Sequence, residues 1–196
     1  MLLFYFKHYN YDKMFALMET SMQYIELKVH EINRKLFEHF QRHQTVSQCW
    51  RKIDGKWCVK DVSFTDDWNE EEYSELMVCL KNTITSGGIV IGAFSNAMLK
   101  GFVSVESAFF GTNSEYLDLS SIHVSEDMRG KGIGKKLFQL ARTWAKEHGA
   151  KKLYISAHSA VESQAFYHAM GCGEAQEYNQ LHVEKEPCDC QLECKL

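Results

Sequence analysis

The amino-acid sequence predicts an α/β (α+β) fold with a mixed, mostly antiparallel sheet and helices on both faces. Two observations support this fold class. Strand and helix periodicities follow one another in the order β-α-hairpin-α-β-β-β-α-β-α-β. A run of short apolar segments with a tight turn, "IVIGAFSNAMLKGFVSVES", then precedes a strand–turn–helix–strand unit. We therefore expect an antiparallel meander followed by a β-turn-α-β unit.

The first half of the chain contains the clearest hairpin signal. Asp54-Gly55 suits the positive φ angles of a type I′ turn, so Lys52 should pair with Trp57 and Trp50 with Val59. The expected elements, in order, are a strand at 24–32 that enters a helix at 33–43, the hairpin at 49–60, a helix at 69–88, and strands at 89–95 and 98–107.

The second half is marked by glycines that end its helices. Gly149 and Gly171 follow two amphipathic runs, and Ser159 with Glu162 has the spacing of a capping box. The expected elements are a strand at 115–124, a helix at about 131–148, a strand at 151–157, a helix at 159–171 and one or two final strands.

Composition restricts the partners and the compartment. The chain has 196 residues and a net charge of -4, and it has no basic stripe, which argues against nucleic acid. Seven cysteines scattered through the sequence do not resemble a disulfide framework, so a reducing, cytoplasmic setting is expected. The N-terminal apolar run is too short for a membrane span and lacks the features of a signal peptide. Residues 1–21 are expected to form an extension that could support a homodimer, and 22–196 a single domain.

The stretch "MRGKGIG", residues 128–134, is the strongest chemical signal. It lies between a predicted strand and a predicted helix, where free backbone N–H groups and the helix dipole favour a phosphate. Glycines let the backbone approach a ligand closely, and cationic side chains adjoin them. The sequence therefore predicts a pyrophosphate-binding turn.

Three known phosphate-binding patterns are candidates for this turn. A Walker A string is absent, and the dinucleotide fingerprint fits badly because the spacing is G-x-G-x-G after an antiparallel meander. The third pattern, [RQ]-x-x-G-x-[GA], is met by residues 129–134. With "LSSIHVSEDMRGKGIGKKLFQLA" and "AFYHAMGC" in this order, the sequence resembles the GNAT superfamily of N-acetyltransferases, which use acetyl-CoA. The resemblance covers roughly 23–196 and is strongest over the CoA-binding core at 115–173.

The resemblance implies a splayed central strand pair that holds the pantetheine arm of CoA. The strand ending at Val124 would separate from its parallel neighbour near 154–157, and the amides of residues 130–135 would hold the pyrophosphate. Many relatives have an Asn near the start of the following helix, where this chain has "AHSAVESQ". The expected cofactor-binding residues are Ile122, His123, Val124, Arg129, Gly130, Lys131, Gly132, Ile133, Gly134 and Lys135, with Ser159 or Gln164 in place of that Asn.

The resemblance also implies catalytic residues. Tyr167 matches the family's usual general acid near the CoA sulfur. Asp118 lies eleven residues before Arg129, where some members carry a catalytic base, although it could instead be a strand-end carboxylate in solvent or in an ion pair. Strict alternation places Asp118 on the same face as Ile122 and Val124. Glu106, His123 and water are the other candidates for the base.

Two further clusters have more ordinary explanations. Cys188, Cys190 and Cys194 have the spacing C-x-C-x3-C, which is not typical of zinc, and on a strand they would share a buried face with Leu192. No metal is expected. Three tryptophans, Trp50, Trp57 and Trp68, either line an acceptor pocket or bury the hairpin, and the sequence does not decide between these.

The predicted function is acetyl transfer from acetyl-CoA to a primary amine by direct attack. A small-molecule acceptor is favoured, such as a metabolite or an amine antibiotic of the aminoglycoside or streptothricin type. The alternatives are a protein acetyltransferase acting on N-termini or lysines, and a CoA-binding regulatory module without turnover. No membrane partner is expected.

Overall fold

A computed structural model describes residues 21–196, and the predicted N-terminal extension lies outside this range except for its last residue. The strands are β1 Gln23–Glu26, β2 His43–Ile53, β3 Lys56–Asp67, β4 Ile89–Ser95, β5 Met98–Val105, β6 Tyr116–Asp118, β7 Ser121–Val124, β8 Lys152–Ala157, β9 Gly173–Glu174 and β10 Cys190–Lys195. The helices are α1 Glu70–Thr85, α2 Ile133–Glu147, α3 Val161–Ala169 and α4 Gln180–Lys185.

The strands form two four-stranded sheets and one long hairpin within the described range. The sheet orders are β1-β4-β5-β7 and β6-β8-β10-β9, and β2 pairs with β3. Every pairing is antiparallel except β6 with β8, which is parallel. The predicted mixed and mostly antiparallel fold is therefore confirmed.

Two hydrophobic cores cover the faces of the β4-β5-β7 sheet. On one face, α2 packs its apolar stripe, including Leu137 and Ala141, against Val103 and Val105. On the other face, Phe37 and Tyr73 pack with Phe102. Helices thus lie on both faces, as expected for a sheet whose two faces are both apolar and must both be shielded from water.

The hairpin has the predicted register. Asp54 and Gly55 take φ angles of 49° and 77°, and Lys52 pairs with Trp57 and Trp50 with Val59. The strands extend well beyond the predicted 49–60, because the polar ends of β2 and β3 continue to pair.

The helix predicted at 33–43 is wrong. The segment forms short 3₁₀ turns at Val29–Glu31 and Arg34–Phe37, and His43 already belongs to β2. Asn33 caps the second turn by accepting the Leu36 N–H at 3.2 Å. Phe37 and Phe40 then turn into the core against Phe102, with ring centroids 5.7 Å and 5.5 Å away, so tertiary packing overrides the local helical spacing.

Three other predictions need correction. Residues 115–124 form two strands instead of one. The capping box at Ser159 is absent, because α3 begins after Ala160 and has no side-chain cap. Helix α4 was not predicted, since its six residues are too few to show a period. No helix within 21–196 is long and apolar enough to cross a membrane.

Candidate active site

The strand predicted at 115–124 changes partners halfway along its length. Strand β6 pairs with β8 in parallel, with Asp118 opposite Tyr154, and the Leu119 N–H donates to the Tyr154 carbonyl at 2.9 Å. The Ser120 N–H then donates to the Ser104 carbonyl at 3.1 Å, and β7 pairs with β5. Beyond Leu119, β7 and β8 therefore belong to different sheets and a gap opens between them.

The change of partner includes a bulge that reverses the faces of the strand. Ser120 and Ser121 both lie opposite Ser104. As a result, Ile122 and Val124 pack against the same core cluster as Leu117 and Leu119. The strict alternation that placed Asp118 on the face of Ile122 and Val124 is therefore wrong.

Strand β7 presents an unpaired edge to the gap. The Ser125 N–H donates to the Lys100 carbonyl at 2.9 Å, which fixes the side on which each residue bonds β5. Since backbone groups alternate between the two edges of a strand, those of Ile122 and Val124 point toward β8. The Val124 carbonyl accepts from the Arg129 Nε at 3.3 Å. This edge can pair with an extended ligand in the manner of an added strand.

The glycine turn lies at the end of this edge, directly before α2. Gly130 and Gly132 take φ angles of 75° and 79°, a left-handed backbone that favours glycine. A Cβ atom at either position would meet nothing within 4 Å, so the turn borders open space. Among the described residues, none accepts a hydrogen bond from the N–H groups of 130–135. Free amides at a helix N-terminus beside an open cradle fit a pyrophosphate.

A cavity of about 920 Å³ joins the gap to the glycine turn. Fourteen residues were predicted as site residues, and ten of them border this space although they come from different elements. Those ten are Ile122, His123, Val124, Arg129, Gly130, Gly132, Ile133, Gly134, Lys135 and Tyr167.

Tyr167 of α3 borders the cavity from the side of the α2 core. Its ring lies 5.2 Å from Phe166 and 6.3 Å from Phe138, and the residue is 8% exposed. Its hydroxyl forms no hydrogen bond with residues 21–196. Burial, with smaller contributions from Cys172 and Asp189, raises the pKa of this phenol, so it stays protonated at neutral pH.

His123 lies on the opposite face of β7, in an aromatic and cationic setting. Its ring is 4.7 Å from Trp68 and 5.3 Å from Phe102. Burial, followed by the charges of Arg42 and Arg129, lowers the pKa of His123 to about 3. A neutral imidazole of such low basicity is a poor acceptor for an ammonium proton, which argues against His123 as the base.

Asp118 does not border the cavity. Its Oδ2 lies 2.6 Å from Nε2 of His182 on α4, and its buried Oδ1 has no partner within the described residues. The hydrogen bond to Asp118 raises the pKa of His182. Asp118 thus forms an ion pair, which was the alternative to a catalytic role for this residue. Glu106, the other reserve base, accepts from Thr83 Oγ1 at 2.6 Å and Ser120 Oγ at 2.7 Å, also away from the cavity.

Three predicted cofactor residues do not line the cavity. Ser159 Oγ accepts from Arg51 at 2.5 Å, and Gln164 Nε2 donates to the His158 carbonyl at 2.9 Å. Both side chains fix the segment before α3. Lys131 Nζ lies over the preceding turn, 3.2 Å from Met128 Sδ.

Several cavity residues were not predicted from the sequence. Arg42, Gln44 and Thr45 come from the start of β2, and Ser156 and His158 from the end of β8. Glu186 and Asp189 come from the segment between α4 and β10. They are polar residues that belong to no sequence motif, so only their three-dimensional placement identifies them.

The tryptophans and cysteines have structural positions. None of Trp50, Trp57 and Trp68 borders the cavity; Trp50 and Trp57 pack on the α2 core and Trp68 on the other. Cys190 and Cys194 are buried with Leu192 on β10, as predicted, but Cys188 is exposed and precedes the strand. Within 21–196, no group of His, Cys, Asp or Glu side chains has a metal-binding arrangement.

An unpaired strand edge that leads to a glycine turn before a helix defines a class of protein, the acyl-CoA-dependent transferases. The model of the acetyltransferase (GNAT) family matches residues 56–172, more than half of the chain. The chain therefore belongs to the GNAT family of acetyltransferases, enzymes that transfer an acetyl group from acetyl-CoA.

Solved structures share the fold at low sequence identity. A nourseothricin acetyltransferase superposes with a TM-score of 0.65 at 17% identity, covering 90% of this chain and 99% of that one. A protein provisionally assigned as a streptothricin acetyltransferase, from Bacillus anthracis str. Ames and in complex with acetyl coenzyme A, gives 0.67 at 18% identity, with 90% and 100% covered. The PaiA N-acetyltransferase from Thermoplasma acidophilum, in complex with coenzyme A, gives 0.56 at 15%, with 90% and 100% covered. A comparison with curated protein sequences found no match.

Proposed function

We propose that this GNAT enzyme is an N-acetyltransferase that moves the acetyl group of acetyl-CoA to a primary amine of a small molecule. The observation that carries the proposal is the unpaired edge of β7, which runs from the bulge at Ser120 to the free amides of the glycine turn. Acyl transfer needs a thioester held at one end and its phosphates at the other, and this edge supplies both.

The residues of this chain would hold acetyl-CoA along that edge. Backbone groups of Ile122 and Val124 would bond the pantetheine arm, and the amides of 130–135 would hold the pyrophosphate. Arg129 and Lys135 add positive charge beside the turn. A helix N-terminus with adjacent cations favours phosphates over neutral ligands.

The reaction requires a proton donor for the departing thiolate. When a free amine attacks the thioester carbonyl, the C–N bond forms, the C–S bond breaks, and the sulfur leaves with an electron pair. Tyr167 is proposed to give its phenolic proton to that sulfur, because it borders the cavity and its raised pKa keeps it protonated. Asp118 as base stays a prediction; its carboxylate pairs with His182 and does not line the cavity.

The hairpin supports a small acceptor over a protein. Its strand β2 is hydrogen-bonded to the segment before α3. The Trp50 N–H donates to the Ser159 carbonyl at 2.8 Å, and Cys49 pairs with Ala160 in an isolated antiparallel β-bridge. The start of the hairpin, at Gln44 and Thr45, also lines the cavity and forms part of its wall, and we infer an acceptor small enough to fit within this space. The antibiotic acceptors in the names of the similar structures make streptothricin a reasonable first acceptor to test.

The decisive experiment is a calorimetric titration of the purified chain with acetyl-CoA, followed by an amine screen with mass detection of the acetylated product. Mass detection is needed because the seven free thiols would react with thiol-sensitive dyes. Binding together with an acetylated small amine supports the proposal. Binding with acetylation of peptides alone favours the protein acetyltransferase, and binding without any turnover favours the regulatory module.

A reducing compartment, such as the cytoplasm, is part of the proposal. All seven cysteines are free thiols, and four of them are buried. A disulfide contributes nothing to this fold, so the chain is suited to a setting that keeps thiols reduced.

A further inference from the structure

The acceptor end of the cavity contains a carboxylate that the family resemblance did not identify. Asp189 borders the cavity directly before β10, half-buried, and no cationic side chain forms an ion pair with it within the described residues. Desolvating a carboxylate without a cation is unfavourable unless a ligand supplies the charge.

Asp189 lies on the wall that faces β7 across the gap. Its Oδ2 accepts from Ser156 Oγ at 3.3 Å. Ser156 belongs to the part of β8 that lies beyond the pairing of β8 with β6. Tyr167 and Asp189 both line the cavity, so this carboxylate shares the space with the proposed proton donor, whereas Asp118 is held by His182 outside it.

A directed chain of hydrogen bonds fixes the orientation of this carboxylate. The backbone N–H of Asn179 can only donate, and it donates to the Tyr154 hydroxyl at 3.0 Å. That hydroxyl must then donate to Oε1 of Gln191. The Gln191 amide nitrogen donates in turn to Ser156 Oγ at 3.1 Å. Ser156 consequently donates its own proton to Asp189 Oδ2.

This chain leaves one oxygen of Asp189 available. Oδ2 always accepts, while Oδ1 has no hydrogen-bond partner among residues 21–196 and belongs to a cavity-lining side chain. A proton arriving from the cavity would therefore be taken up at Oδ1. The carboxylate is oriented by its neighbours in the way that a general base requires.

We propose that Asp189 is the catalytic base of this enzyme, which binds the acceptor as a cationic ammonium ion and removes its proton at Oδ1. This role rests on the proposed acetyl transfer. The ammonium nitrogen gives one proton to Asp189 and then attacks the thioester carbonyl as the free amine. The nitrogen loses a second proton as the amide forms, Tyr167 protonates the sulfur, and Asp189 and Tyr167 exchange protons with water. The net products are the acetamide, CoA thiol and one proton.

The charged surroundings of Asp189 set the pH dependence. It faces Ser156 and His158 from the end of β8, His182 and Glu186 from α4 and its C-terminal end, Tyr167 from α3 and Cys190 from the start of β10. Burial is the main cause that raises the pKa of Asp189, and Glu186 adds to it. The rate should therefore fall as the pH drops through that raised pKa, because the base becomes protonated.

The test compares Asp189→Asn with Asp61→Asn in the full chain, using acetyl-CoA with streptothricin and with 1,4-diaminobutane as acceptors. We expect Asp189→Asn to lower kcat/KM by about 100-fold, the lower end for loss of a general base, while acetyl-CoA affinity stays within about twofold. The residual rate should recover with rising pH, since the free amine then forms in solution. Asp61→Asn should retain most of the activity, because this exposed carboxylate accepts from Gln48 on the hairpin and does not line the cavity.

Ser156→Ala provides a second variant in case Asp189→Asn folds poorly. It leaves the carboxylate in place but removes its orienting donor, and should lower kcat with the acid limb of the pH profile shifted. Asp189→Asn at the wild-type rate, or a loss without recovery at high pH, overturns the role of Asp189 alone. A wild-type chain that binds acetyl-CoA and acetylates neither amine overturns the proposed function, and the role with it.

Discussion

The two ends of the cavity are built in different ways. The end proposed for acetyl-CoA comes from one continuous stretch, 122–135, in which a strand edge runs into a glycine turn and a helix. The end proposed for the acceptor gathers side chains from β2, from the end of β8 and from the segment before β10. Local backbone geometry decides the first, whereas the packing of distant segments decides the second. A conserved cofactor can be held by backbone groups, but a particular amine needs particular side chains.

The largest effect is expected where the two ends meet, at Tyr167. Tyr167→Phe keeps the ring packing against Phe166 but removes the phenolic proton, and should lower kcat by about 100-fold with acetyl-CoA affinity unchanged. Steady-state kinetics and calorimetry measure the two quantities. Tyr73→Phe is the matched control, because its hydroxyl bonds the Phe40 carbonyl away from the cavity. If Tyr167→Phe kept the wild-type rate, water and not Tyr167 would be the group that protonates the departing CoA sulfur.

The next prediction isolates the acetyl-CoA end. Gly132→Ala adds a Cβ to the open side of the turn, and should weaken acetyl-CoA binding by about tenfold, the equivalent of one hydrogen bond to a charged group. Gly149→Ala is the control at the other end of α2, since Gly149 also has a positive φ and open space around it. Both variants should lose about 1 kcal/mol of stability from backbone strain. Equal acetyl-CoA affinities for the two variants in calorimetric titrations would show that the glycine turn does not bind acetyl-CoA.

A smaller effect should mark the acceptor end alone. Glu186→Gln removes a negative charge from the cavity wall and should raise KM for a diamine by about twofold to fivefold, as expected for an exposed charge pair, with kcat nearly unchanged. Glu184→Gln, on the preceding helix α4 and outside the cavity lining, provides the control. If both variants raise KM equally, the effect is a general one of net charge.

The smallest effect concerns the anchoring of α4, which positions the acceptor end. The pKa of His182 is raised by Asp118, so their pair stabilises the fold below the ordinary histidine pKa and loses that contribution as the pH rises through the raised value. Asp118→Asn should therefore cost up to about 1 kcal/mol at pH 5 and little at pH 9. Urea unfolding at the two pH values measures this. Asp67→Asn, which removes the partner of the exposed His43, should change little at either pH.

The sequence predicted much of the fold because its signals are local. The turn at Asp54-Gly55, the glycine that ends α2 and the strand–turn–helix at 115–148 each depend on neighbouring residues. The helix expected at 33–43 does not form, because Phe37 and Phe40 pack against Phe102 of β5. Asp118 was placed on the wrong face because the bulge at Ser120 leaves no trace in the alternation of "LDLSSIHV".

The sequence by itself determined the family, the glycine turn and the tyrosine at the end of the gap, since these residues are adjacent in the chain or stand at a fixed spacing. Only the tertiary structure decided the acceptor end. The pairing of β10 with β8 brings Asp189 within hydrogen-bond distance of Ser156, which is 33 residues away in the chain. Asp118 instead pairs with His182 of α4. Side-chain chemistry at such a site depends on which segments pack together, and this is determined by the core and not by the spacing of the residues involved.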